Sequence, residues 1–209
     1  MTPCSDARAA LRGVMLATLL LLGACASAPR APSAPARAPT PPVTGSSTAQ
    51  HQFAAALALM KSGERVAARD AFLELHRAQP TLSGPLTNLG ILYAQLGQRG
   101  EAMSALARAA MVNPDNAVAH NWLGSLYREG GDFQRAEQEY RLALQADPDY
   151  AAAHRNLGVL YEVSLRRPQE ALAHYREAQR LGGGNAIMLS AWIHALEDQT
   201  GIDVAGASR

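Results

Sequence analysis

Residues 87–93 read TNLGILY, residues 121–127 read NWLGSLY and residues 155–161 read RNLGVLY. Each copy lies 34 residues after the one before, with Leu-Gly and Tyr in fixed places. Other residue types keep the same step: Pro80, Pro114 and Pro148; Ala102 and Ala136; Ala109 and Ala143. Self-similarity at one fixed period identifies stacked units, none of which can bury its apolar face alone. Gly90, Gly124 and Gly158 let the first helix of a unit approach the second closely, with Ala102, Ala136 and Ala171 as the small partners. Tyr93, Tyr127 and Tyr161, with Phe72, Leu106, Tyr140 and Tyr175, fill the wider gaps. Each proline ends a second helix, because it lacks an N–H and disfavours helix in the residue before it. Gly63, Gly97 and Gly130-Gly131 supply the turns within units, where positive φ is easiest for glycine.

Working outward, the pattern resembles the tetratricopeptide repeat, a helix–turn–helix unit with small and large residues at set positions. That resemblance implies an all-α fold: a right-handed α-solenoid of about four units, at 49–82, 83–116, 117–150 and 151–184. The first unit departs from the family, with Gln52, Ala55, Ala56 and Leu59 at patterned positions, as suits a terminal repeat. The fourth holds one extra residue, since Tyr161 and Ala171 are ten apart where Tyr127 and Ala136 are nine apart. It lacks a turn glycine but has Pro168 well placed to start a helix. Gly182–Gly184 reads as a hinge, after which Asn185 caps a closing helix over 186–199. Ile187, Met188, Leu189, Trp192, Ile193 and Leu196 recur on it at helical spacing. Residues 200–209 are expected to fray.

The composition agrees with closely packed helices. Forty-two of the 209 residues are Ala, against three Phe, two Trp and six Tyr. A net charge of +1 offers no basic surplus for neutralising phosphates, so nucleic-acid binding is not expected. Two cysteines exclude a disulfide scaffold and a four-cysteine zinc site.

The first 48 residues follow a different logic. Arg8 and Arg12 precede a ten-residue apolar run at 13–22, too short to cross a bilayer. A basic start followed by a short apolar run is the layout of a secretory signal peptide. The run ends Leu22-Gly23-Ala24-Cys25, which resembles the lipobox of bacterial lipoproteins. That resemblance implies cleavage after Ala24 and a covalent lipid on Cys25. Two or three acyl chains exceed the threshold for stable anchoring. Ala26 and Ser27 follow the cysteine, where an inner-membrane protein of this pattern carries Asp. The expected location is therefore the outer membrane, facing the periplasm. Residues 25–48 hold six prolines and almost no bulky apolar groups, so they are expected to form a disordered tether.

In this family the first helices line a concave groove that binds extended peptides or a partner's helix. Positions not used by the packing pattern are Thr87, Asn88 and Ile91; Asn121, Trp122, Ser125 and Arg128; and Arg155, Asn156, Val159 and Glu162. Trp122 sits two positions after the family's usual tryptophan, where this chain has His120. Its indole reads equally as a binding anchor or as packing against the neighbouring unit. One subgroup of the family grips the C-terminal carboxylate of chaperones through Lys, Asn and Arg. Its first-unit and third-unit positions here hold Phe53, Leu57, Val118 and Trp122, and only Asn88 agrees, so that function is not expected.

His120 and His154 occupy equivalent places without an accompanying carboxylate cluster, and His174 and His194 have no recognisable ligand spacing. No metal or other cofactor is expected beyond the lipid on Cys25. The chain has no phosphate loop, zincin motif or G-x-S-x-G elbow, so neither catalysis nor a small-molecule substrate is expected. The resemblance implies a lipid-anchored scaffold that holds a protein partner during envelope assembly, with pilus and secretin systems foremost. Adaptors of peptidoglycan enzymes and accessories of TonB/ExbB-type complexes are alternatives of the same kind. A periplasmic enzyme or metal binder, a different class, rests on the histidines alone.

Overall fold

A computed structural model describes residues 47–201. The signal segment with Leu22, Gly23, Ala24 and Cys25, most of the tether and the tail from residue 202 lie outside the described residues. The described chain is an all-α solenoid of four helix pairs followed by a ninth helix. The pairs are α1 (Ser47–Lys61) with α2 (Arg65–Ala78), α3 (Ser83–Gln95) with α4 (Arg99–Val112), α5 (Ala117–Glu129) with α6 (Phe133–Ala146), and α7 (Ala151–Val159) with α8 (Pro168–Arg180). Helix α9 spans Ala186–Thr200 and packs on α8. Ser47 and Thr48, expected to belong to the tether, are already helical. Among the described residues no helix is long and apolar enough to cross a membrane.

Boundaries follow from side chains. Asn116, Asp132 and Asn185 accept hydrogen bonds from Ala119, Arg135, and Ile187 and Met188 N–H groups, satisfying donors that the first helical turn leaves free. Pro80, Pro114 and Pro148 each stand two residues past the end of a second helix. Gly63, Gly97 and Gly131 have φ of +84°, +74° and +78°. Gly130 does not share their role: it lies at φ −84°, caps α5 and leaves room for the Arg99 guanidinium that donates to Leu126 O. In the fourth pair Arg166, at φ +54°, occupies the corresponding left-handed place.

The extra residue of that pair is absorbed in a π-helical turn. Leu160–Ser164 continues α7 with wider spacing, and Leu165 N–H bonds to Leu160 O at 3.0 Å. Within Gly182–Gly184, a Cβ added at Gly183 would stand 2.5 Å from that of Ala151, whereas one at Gly182 would meet nothing within 4 Å.

Packing within pairs follows one rule, with the large residue of the second helix nearer the glycine than the alanine is. A Cβ at Gly124 would lie 2.7 Å from the ring of Tyr140, and one at Gly158 would lie 2.6 Å from that of Tyr175. Gly90 faces Leu106 in the same way. The large residue enters the glycine notch, while Ala102, Ala136 and Ala171 are buried beside it. Two apolar clusters form the core. One joins Phe72, Leu89, Leu106 and Leu123, and the other joins Tyr140, Leu157, Tyr175, Leu189 and Ile193. Tyr127 packs against both, which makes the core continuous along the stack.

Candidate functional site

Helix α5 lies beside α3 on one side and α7 on the other, so the first helices form a continuous face. Polar groups knit its floor. Asn156 Nδ2 donates to Asn121 Oδ1 at 2.9 Å, and the Asn121 amide also reaches the Tyr150 hydroxyl. Asn116 Nδ2 donates to Thr87 Oγ1 at 2.8 Å, while Thr87 Oγ1 donates to Ser83 O. Ser125 Oγ donates to Asn121 O and pairs with the Tyr140 hydroxyl, both at 3.1 Å. The Tyr175 hydroxyl donates to Glu162 Oε2 at 2.7 Å, and burial with that carboxylate holds its pKa far above the ordinary tyrosine value.

These bonds sort the expected groove residues. Thr87 and Asn121 are 5% and 6% exposed, so both serve the junction between units and offer little surface to a ligand. Asn88 is half-buried and donates to Gly84 O one turn back. Ile91, Trp122, Ser125, Arg128, Arg155, Asn156, Val159 and Glu162 are half-buried. Trp122 packs against the first core cluster and stays partly accessible. Asn121 and Arg128 are seven residues apart and share a stripe of α5; Arg155 and Glu162 are placed likewise on α7 and its π turn.

His120 and His154 do not face one another. His120 donates from Nδ1 to Glu139 Oε2 at 2.7 Å and from Nε2 to Pro114 O at 3.0 Å. The carboxylate bond raises its pKa above the ordinary histidine value. His154 makes the matching bond to Pro148 O at 3.0 Å, but its Nδ1 lies 2.9 Å from Nδ1 of His174. Burial, with His154 and Arg141 nearby, lowers the pKa of His174 to about 4. His174 is the residue that spacing missed: once the extra residue is counted, it occupies the place of Glu139. Among the described residues no group of three or more His, Cys, Asp or Glu side chains could hold a metal ion.

The two sites respond oppositely to acid. His174 resists protonation in the folded array but not in the unfolded chain. Its contribution is therefore lost as pH falls from 6.5 towards about 4. The contribution of His120 is full below 6.5 and is lost as pH rises through its raised value. His174→Glu would give His154 the carboxylate that His120 already has. Melting at a series of pH values should show the variant losing less stability than the parent over the His174 window. Parallel curves would contradict this.

The sequence profile described as tetratricopeptide repeat matches residues 87–151 and 143–186. Over those residues the chain is similar to tetratricopeptide repeats. Solved structures agree on the fold. MamA is 22% identical, with a TM-score of 0.60, over 74% of this chain and 84% of that one. Pseudomonas aeruginosa pilF is 16% identical, with a TM-score of 0.65, over 73% and 68%. A Thermobaculum terrenum O-GlcNAc transferase mutant is 28% identical, with a TM-score of 0.58, over 64% of this chain but 26% of its own. The first two likenesses concern fold alone, and this chain spans about a quarter of the transferase. No curated protein sequence matches this chain. Tetratricopeptide arrays are typically non-catalytic scaffolds that bind protein partners.

Proposed function

We propose that the protein is a lipid-anchored periplasmic scaffold whose groove holds a segment of a partner during assembly of an envelope complex, foremost a pilus or secretin system. The observation carrying the binding half is the face of α3, α5 and α7. There Ile91, Trp122 and Val159 alternate with Arg128, Arg155 and Asn156, all partly accessible. Apolar anchors beside polar groups suit recognition of a peptide better than of a small metabolite, because the face is long and open. The anchoring half is supported by Leu22-Gly23-Ala24-Cys25 directly after the apolar run at 13–22. Cys25 would carry the lipid, and Ala26 and Ser27 favour the outer membrane.

One experiment addresses both halves in cells. A photo-crosslinking residue replaces Trp122 or, as a control on a second helix, the exposed Met111, each with and without Cys25→Ser. The expected result is a single envelope-protein adduct from position 122 and none from 111, with Cys25→Ser releasing the protein from the outer-membrane fraction. Identification of the adduct as a secretin subunit supports the pilus assignment. A partner of peptidoglycan or TonB/ExbB systems overturns that assignment but leaves the scaffold. Retention of the Cys25→Ser protein in the outer membrane overturns the anchor.

A further inference from the structure

Charge is handled differently on the two kinds of helix. Second helices largely satisfy their own: Arg141 pairs with Glu137 at 2.7 Å, Arg176 of α8 with Glu197 of α9 at 2.7 Å, and Arg180 with Glu177 at 2.6 Å. Among the first helices, α3 carries no charged side chain, and the groove cations come from Arg128 on α5 and Arg155 on α7. Neither side chain makes a hydrogen bond or ion pair to the described residues. The Arg128 Nε is fully enclosed and has no acceptor. Glu162, which holds the same place in the next unit, is occupied by the Tyr175 hydroxyl at 2.7 Å. The charge of Arg128 reaches Tyr175 as well, yet no salt bridge forms with Glu162. The Nε is shut off from solvent, but the terminal nitrogens of the half-buried guanidinium are not among the enclosed atoms, and a carboxylate meeting them gains charge-assisted hydrogen bonds.

We propose that the occupant of the groove is an extended peptide segment that presents an acidic side chain to Arg128 while an apolar side chain lies on Trp122. The proposal rests on the groove reading above and adds the chemistry of the ligand. Trp122 and Arg128 are six residues apart on one helix, about 9 Å along its axis at 1.5 Å per residue. A chain in the extended polyproline II form covers that distance in three residues, at about 3.1 Å each, and every third side chain returns to the same face. The apolar and acidic residues of the partner are therefore three positions apart. Arg155 adds a second cation on the adjoining helix, so binding weakens as salt rises.

The test uses the full chain in detergent and fluorescein-labelled twelve-residue peptides with amidated C-termini, so that only a side chain supplies the carboxylate. One peptide carries Leu and Asp three positions apart in an Ala/Ser background, and its twin has Asn for Asp. A third places Leu and Asp seven apart. The Asp peptide should bind at least tenfold more tightly than the other two, as read by fluorescence anisotropy. Arg128→Gln should erase the Asp-over-Asn preference, and Arg128→Lys should retain part of it. Circular dichroism melts establish that both variants are folded. Equal binding of Asp and Asn peptides, or a preference that survives Arg128→Gln, overturns acid recognition. The groove reading still stands in that case if Trp122→Ala weakens all three peptides. Failure of every peptide to bind overturns both.

Discussion

Tyr140→Ala is expected to destabilise the array by about 3–5 kcal/mol, within the range for truncating a buried aromatic side chain. Tyr140 is 0% exposed, its ring fills the notch at Gly124, and its hydroxyl pairs with Ser125 Oγ. Truncation leaves a cavity bordered by a glycine, which has no side chain to move into the space. It also deprives Ser125, on the groove face, of one partner. In a linear stack each unit contacts only its neighbours, so the loss should loosen α5 and α6 before the whole array unfolds. Denaturant unfolding should show a lower midpoint, and amide exchange should rise first in 117–146. A midpoint within error of the parent would show that the notch does not carry the pair.

Gly158→Val should cost about 3 kcal/mol, at the upper end of the usual overpacking penalty. Even the first carbon would stand 2.6 Å from the Tyr175 ring, which is 1% exposed. That ring cannot swing aside, because its hydroxyl is bonded to Glu162 and Trp192 packs against it at 5.4 Å. Gly100 is the internal contrast. It lies in the first turn of α4 with nothing within 4 Å of an added Cβ. Gly100→Ala should therefore stabilise by about 0.5–1 kcal/mol through helix propensity alone. Thermal melts of the two variants should shift in opposite directions. A shift in the same direction would mean that propensity, not the notch, governs these positions.

The period of 34 residues made the helix pairs legible, because proline and glycine mark where the chain must stop and turn. The notch partner was less legible for a reason of side-chain direction. A helical side chain leans over the turn N-terminal to its own Cα. The group opposite Gly90 therefore comes from Leu106, one turn after Ala102. The groove was legible as a face but not in depth. Helical spacing places Thr87 and Asn121 correctly on α3 and α5, yet it says nothing of the bonds to Asn116 and Asn156 that draw them inward. His174 escaped because the extra residue of the fourth unit shifts it out of step with Glu139. Arg128 was expected on the groove, but its lack of an acceptor emerges only when every neighbouring side chain is placed.

The π turn at Leu160–Ser164 has a practical consequence for anyone wishing to mark this protein. It takes up an additional residue while Gly158 still meets Tyr175, whose hydroxyl bonds to Glu162. The array thus tolerates a change of length at the end of a first helix without losing the contacts on either side. Val163, within that turn, is 68% exposed. A reporter side chain there would sit one residue from Glu162, close enough to sense an arriving ligand, at a place where the backbone has already accommodated an irregularity.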